Sequence, residues 1–282
     1  MDQLSTAELR EQDRTATKQN LENLVAQGTP ILAGSNLTIE GATIGSDELH
    51  VMRNLVAAIF PSEADRTRVH IELVGKFARK FGMALKATGN PSFAALNEEA
   101  LEITALGHDF GRSVTHRAIR HDIAGDMLLT QIGMRRDILD TFPSTLSYAT
   151  SARSFRERFS TEHPNAIPSE LDEAFKRLAK QTLEDSSVEQ RIIVLSDICG
   201  KPNGEGGIRT FEEVMEYHRN SRSNYKAASG LDALYPSDTR IDPDVITFTE
   251  HLYRLHKDWL SDQGVDVEKI RQELLFEAAH QH

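Results

Sequence analysis

The sequence predicts an all-α protein, and three observations carry that reading. Apolar residues recur at helical spacing: in ADRTRVHIELVGKFARKFG, His70, Val74, Phe77 and Phe81 fall at i, i+4, i+7 and i+11 on one face. Strand-like alternation is confined to NLTIEGATI at 36–44, short enough for a small hairpin or an irregular loop. The strongest breakers, such as KPNGEGG at 201–207, lie between periodic stretches.

The elements follow in order. After Pro61, Ser62-Glu63-Ala64-Asp65 reads as a helix start with a pair resembling a capping box, and the helix runs on through Phe81. A second helix is expected over 93–108, stopping near Gly111, and a third over 115–132. A short helix around 148–159 lies between Pro143 and the loop carrying Pro164 and Pro168. Further helices are expected over 170–183, 188–199, 211–221, 243–262 and 267–279. These divide the chain into an N-terminal extension (1–60), a helical core (61–205) and C-terminal helices (206–282) that pack on the core or stand beside it. Gly204, Gly206 and Gly207 form neither a Walker nor a Rossmann pattern and read as a flexible connection.

Composition narrows the function. The chain has 282 residues, 39% apolar and 27% charged, enough for a buried core. Its longest strictly apolar run, 55–60, is far below the roughly 20 residues of a membrane span. The N-terminus carries acids and no apolar stretch of the secretory type, and the single cysteine, Cys199, permits no intrachain disulfide. A cytoplasmic setting is therefore expected. With 32 basic against 43 acidic residues, the net charge of −11 repels phosphate backbones, so general nucleic-acid binding is not expected. A small phosphorylated ligand held by a few arginines remains compatible with that field.

The informative residues are polar ones on faces that should be buried. His70 shares its face with Val74, Phe77 and Phe81; His108 and Asp109 end the apolar run LEITALGHDFG; Asp197 interrupts the apolar helix RIIVLSDIC. A lone buried carboxylate costs several kcal/mol without a compensating cation or donors, roughly 3–5 by the usual experience with broken pairs. Three helices that turn imidazole or carboxylate inward suggest one shared cation. Two histidines and two carboxylates make a mixed N/O set that suits Mn, Fe, Co, Ni, Zn or Mg and argues against a thiolate-type site.

The segments VHIELVGKFA, ALGHDFGR, RHDIAGDMLL and IIVLSDICGKP, in that order, resemble the motif series of the HD-domain metal-dependent phosphohydrolases, over roughly residues 60–202. The resemblance implies an HD-like helical bundle with His70, His108, Asp109 and Asp197 as ligands of a divalent metal ion. It also implies hydrolysis of a phosphomonoester or phosphodiester, often a nucleotide, by metal-activated water. Arg112 stands where the family commonly has Lys and keeps a positive charge with a bidentate fork for phosphate. His121 matches a position that binds substrate or a second metal in many members. Asp109, Arg112 and His121 are thus the catalytic candidates, with Asp109 orienting the attacking water. His163 is the single candidate for a further histidine before Asp197, which favours one metal. The alternatives are a di-iron oxygenase on the same fold and a non-catalytic sensing or protein-binding module. Homo-oligomerisation is left open.

Overall fold

The computed structural model describes residues 6–33, 46–62, 65–113, 121–134, 148–204, 207–220 and 243–280. The described elements are all helical: eleven α-helices and two short 3-10 turns, with no strand among the described residues. No described helix is long and apolar enough to cross a membrane. The possible hairpin at 36–44, Pro143, and the stretch 114–120 with His116, Arg117 and Arg120 lie outside the described residues.

Helices α1 (Thr6–Ala33) and α2 (Ser46–Ile59) form the N-terminal part. Leu21, Leu24 and Val25 of α1 pack, partly buried, against one of the apolar clusters. Helix α2 is better patterned: Leu49, Met52, Leu55, Val56 and Ile59 are buried against the helices that follow.

Helix α3 (Arg66–Ala87) begins later than its sequence suggests. Its N-cap is Asp65, whose Oδ1 accepts from Thr67 N at 2.7 Å and Arg68 N at 3.2 Å. Asp65 satisfies two orphan amides directly, so a start at Ser62 is not needed. The expected face holds: His70, Val74, Phe77, Phe81 and Leu85 are all buried.

The helix expected over 93–108 is split. Pro91–Phe93 is a 3-10 turn capped by Asn90, and α4 (Glu98–Gly107) starts afresh at Asn97, whose Oδ1 accepts from Glu99 N and Ala100 N. Two Asn caps seven positions apart interrupt what periodicity alone reads as continuous. From Leu101 to Gly107 every residue of α4 is buried, the mark of a helix enclosed on all sides. A second 3-10 turn, Phe110–Ser113, follows, and α5 (His121–Gln131) lies within the expected third helix.

The remaining helices are α6 (Tyr148–Glu162), α7 (Pro168–Asp185), α8 (Val188–Cys199), α9 (Phe211–Asn220), α10 (Pro243–Asp262) and α11 (Val267–Ala279). Each falls within a few residues of its expected range. A Ser187/Gln190 capping box starts α8, and Ile192 to Cys199 are then buried without a break.

Two apolar clusters meet along α3 and α4. One joins Phe77, Phe81 and Leu85 of α3 with Phe175 of α7, Ile192, Leu195 and Ile198 of α8, Phe248 and Leu252 of α10, and Ile270 and Leu274 of α11. The other joins Met52 and Leu55 of α2 with Ile71 of α3, Ile103 and Leu106 of α4, Phe110, and Leu128 and Leu129 of α5. Each fully buried Leu, Ile or Phe contributes roughly 1.5–3 kcal/mol by removal from water. The polar residues singled out from the sequence lie where these clusters adjoin.

Candidate metal centre

Three helices deliver the site, and each is held by a local device. His70 comes from the first turns of α3, next to Ile71 of one cluster and one turn before Val74 of the other. His108 is the C-cap of α4, and Asp109 follows it into the turn that begins at Phe110. Asp197 lies in the last turn of α8. All four residues are buried.

The contact between α3 and α8 is unusually close at Gly200. A Cβ there would lie 2.6 Å from Val74 Cγ2 and 2.9 Å from Val74 N, so only glycine fits. That approach lets the Gly200 carbonyl accept the Nδ1–H of His70 at 2.7 Å. His108 donates its own Nδ1–H to the Ala105 carbonyl at 2.6 Å. A carbonyl can only accept, so both rings keep the proton on Nδ1 and turn Nε2 inward, the arrangement in which an imidazole ligates a metal.

The inward atoms converge. His70 Nε2 lies 3.0 Å from Asp197 Oδ1 and 3.6 Å from Asp109 Oδ2; His108 Nε2 lies 3.5 Å from each of the same two oxygens. The two rings meet edge to face, with centroids 5.2 Å apart. His70, His108 and Asp109 form a buried group, with ligand atoms all within 4.8 Å of one another, that could hold a metal ion. Donor atoms bound at about 2.0–2.2 Å to one ion stand about 3.0–3.5 Å apart at neighbouring positions. His108 Nε2 is buried and has no hydrogen-bond partner among the described residues. The spacing of the group is thus one that a metal ion could fill.

Two cations border the carboxylates. Arg112 Nε is 2.5 Å from Asp109 Oδ2, brought back over it by the turn in which Arg112 N donates to the Asp109 carbonyl. Lys201 Nζ is 2.7 Å from Asp197 Oδ1 and 3.1 Å from His70 Nε2. Burial opposes ionisation of both acids, but the cations and imidazoles outweigh it. Arg112, His108 and His70 hold the Asp109 carboxyl far below the usual carboxylate range, and Lys201 with both histidines does the same for Asp197. The imidazoles respond in opposite directions. Burial and then the Lys201 charge push His70 down from its ordinary value; for His108 burial also pulls down, but Asp109 and Asp197 win and raise it.

Lys201 is the residue that sequence reasoning missed. Its signal was an ammonium one helical turn beyond a buried carboxylate, with glycine between. The segment around it is also better built than a flexible connection: Pro202 and Ile208 form an antiparallel bridge, Asn203 N donates to the Gly207 carbonyl at 3.0 Å, and Arg209 N donates to the Lys201 carbonyl at 2.9 Å.

The other expected residues stand as follows. His121 opens α5, and its side chain lies outside the described residues; Leu128 and Ile132, further along the same stretch, are buried. Gly125 of α5 packs on the backbone after Asp109, where an added Cβ would lie 3.1 Å from Gly111 N. His163 sits at the α6–α7 turn with its ring on Phe159, beside an open depression of about 760 Å³ that shares no lining residue with the cluster. Cys199 packs in the larger apolar cluster, and burial pushes its thiol far up, which removes it as a nucleophile.

Searches against protein-family models, curated proteins and solved structures each found no match to this chain.

Proposed function

We propose that this chain is a metal-dependent phosphohydrolase of the HD-domain type, with His70, His108, Asp109 and Asp197 as the ligands of one divalent ion. The observation that carries the reading is the pair of imidazoles whose Nδ1 protons are both spent on backbone carbonyls, leaving two Nε2 lone pairs facing two carboxylate oxygens at 3.0–3.6 Å. The order of the motifs along the chain supports it further. When bound, such an ion supplies Lewis acidity, lowering the pKa of water and polarising a phosphoryl oxygen.

The chain's own residues do the rest. Asp109 is ionised throughout the physiological range and orients the attacking water through its carboxylate. Arg112, with its side chain 43% exposed, spans from Asp109 to solvent and is the cation that meets a phosphoryl oxygen. His121 contacts substrate or a second ion. The substrate is a small phosphoester, most naturally a nucleotide, and the setting is cytoplasmic.

The test is metal analysis of protein purified without chelator, followed by a panel of phosphomonoesters and phosphodiesters with added Mn, Co, Ni, Fe and Mg. Stoichiometric metal and turnover that Asp109→Ala abolishes are expected. Protein that takes up none of these metals, with no hydrolysis above background, overturns the reading.

A further inference from the structure

Lys201 has an anchored backbone and a side chain that reaches from the cluster to the surface. The Pro202–Ile208 bridge, the Arg209 N to Lys201 carbonyl bond and the Arg209 Nε to Pro202 carbonyl bond at 3.0 Å fix where its stem begins. Its side chain is 20% exposed, on a flexible four-carbon stem that can carry an ammonium toward water.

The decisive chemistry lies at His70. That ring has a single lone pair in its plane, on Nε2, because Nδ1 carries the proton given to Gly200. Lys201 uses this lone pair at 3.1 Å and also takes Asp197 Oδ1 at 2.7 Å. Any cation ligated by His70 needs the same lone pair, so the two uses exclude each other.

We propose that Lys201 is a resident cation which a divalent metal must displace, and that the displaced ammonium then serves with Arg112 as a second arm for the anionic group of the substrate. Arg112 and Lys201 each follow a carboxylate of the cluster by about one helical turn, at i+3 and i+4, so both arms rise from the rim of the same site. Two cationic arms beside a metal match a doubly charged phosphoryl group. Binding is then ordered, metal before anion, because the second arm is engaged in the cluster until metal arrives. This rests on the metal-centre reading above.

The experiment titrates manganese into chelator-treated full-length protein by calorimetry, and then inorganic phosphate into the manganese-loaded form, for wild type, Lys201→Met and Lys201→Gln. Circular dichroism checks that both variants fold. Both variants are expected to bind manganese at least about tenfold more tightly than wild type, having lost the competitor, and to bind phosphate about tenfold more weakly, having lost an arm. Equal or weaker manganese binding by the folded variants overturns the displacement. Unchanged phosphate affinity overturns the second arm. Absence of manganese binding by wild type and variants alike overturns the metal centre and the exchange together, an outcome distinct from a centre that binds metal but ignores position 201.

Discussion

Glu102 and Asp109 are both buried acids, placed within two turns of each other on and just beyond α4. Glu102 Oε1 lies 2.5 Å from Arg53 Nη2 and Oε2 lies 3.0 Å from Arg79 Nη1, so each oxygen has its own cation. Both arginines reach solvent at their outer edges, with side chains 57% and 39% exposed. Around Asp109 the arrangement differs: two carboxylates and two inward Nε2 atoms come together, with Arg112 and Lys201 at their border and His108 Nε2 without a hydrogen-bond partner among the described residues. Buried charge is common to the two places. What separates the two places is the pair of imidazoles that turn Nε2 toward the carboxylates of the second.

The largest effect should come from removing an acceptor at the richer cluster. Asp109→Ala is expected to weaken manganese binding by at least about 100-fold while leaving a helical spectrum, since a charged ligand is lost. Retained stoichiometric metal would break the comparison outright. At the balanced cluster the same surgery should act on stability alone. Arg53→Ala with Arg79→Ala strands the Glu102 carboxylate and should cost roughly 2–4 kcal/mol in chemical denaturation, below the fully buried limit because water reaches the rim. Manganese affinity should not change.

Gly200→Ala sharpens the contrast from the backbone side. Its Cβ would press on Val74 N as well as Val74 Cγ2. A loss of about 3 kcal/mol, the upper end for overpacking, is expected together with weaker metal binding, because the carbonyl that orients His70 must move. Unaltered stability would show that α3 and α8 can part without penalty.

A smaller effect tests a buried histidine outside both clusters. His256 is fully buried, donates Nδ1–H to the Leu252 carbonyl at 2.7 Å, and burial pushes it down to about 4. With a folded value below the ordinary 6.5, the native state holds fewer protons than the unfolded chain between those limits, so acid favours unfolding. The stability that neutral His256 provides should be whole above about pH 6.5 and fall by about 2 kcal/mol on reaching pH 5. His256→Leu should lose that part of the pH slope, measured as the difference between wild-type and variant denaturation at pH 7 and pH 5. An identical slope in both would show that His256 titrates normally.

Much of this was legible in the sequence, and the misses have physical reasons. The all-α class and most helix spans followed from spacing, because long amphipathic stretches such as 66–87 leave one face no alternative to burial. The interruption before α4 was missed because Asn90 and Asn97 act through single side-chain bonds that periodicity does not register. His70, His108, Asp109 and Asp197 stood out as polar residues on apolar faces, and the structure brings all four together. Lys201 and Glu102 did not stand out. A lysine after a glycine reads as surface, and Glu102 has partners at 53 and 79 that only the packing of α2, α3 and α4 reveals.

The carbonyl that sets the His70 tautomer belongs to a residue 130 positions further along the chain. On a ribosome, His70, His108 and Asp109 therefore emerge well before Gly200, Asp197 and Lys201. At typical elongation rates the roughly 90 residues from Asp109 to Asp197 take about 4–18 s to synthesise. Through that interval the nascent chain carries three side chains of the cluster without the acceptor that aims one of them. Only when α8 docks against α3 does that orientation arrive, and the same short stretch of chain brings Asp197 with its own ammonium.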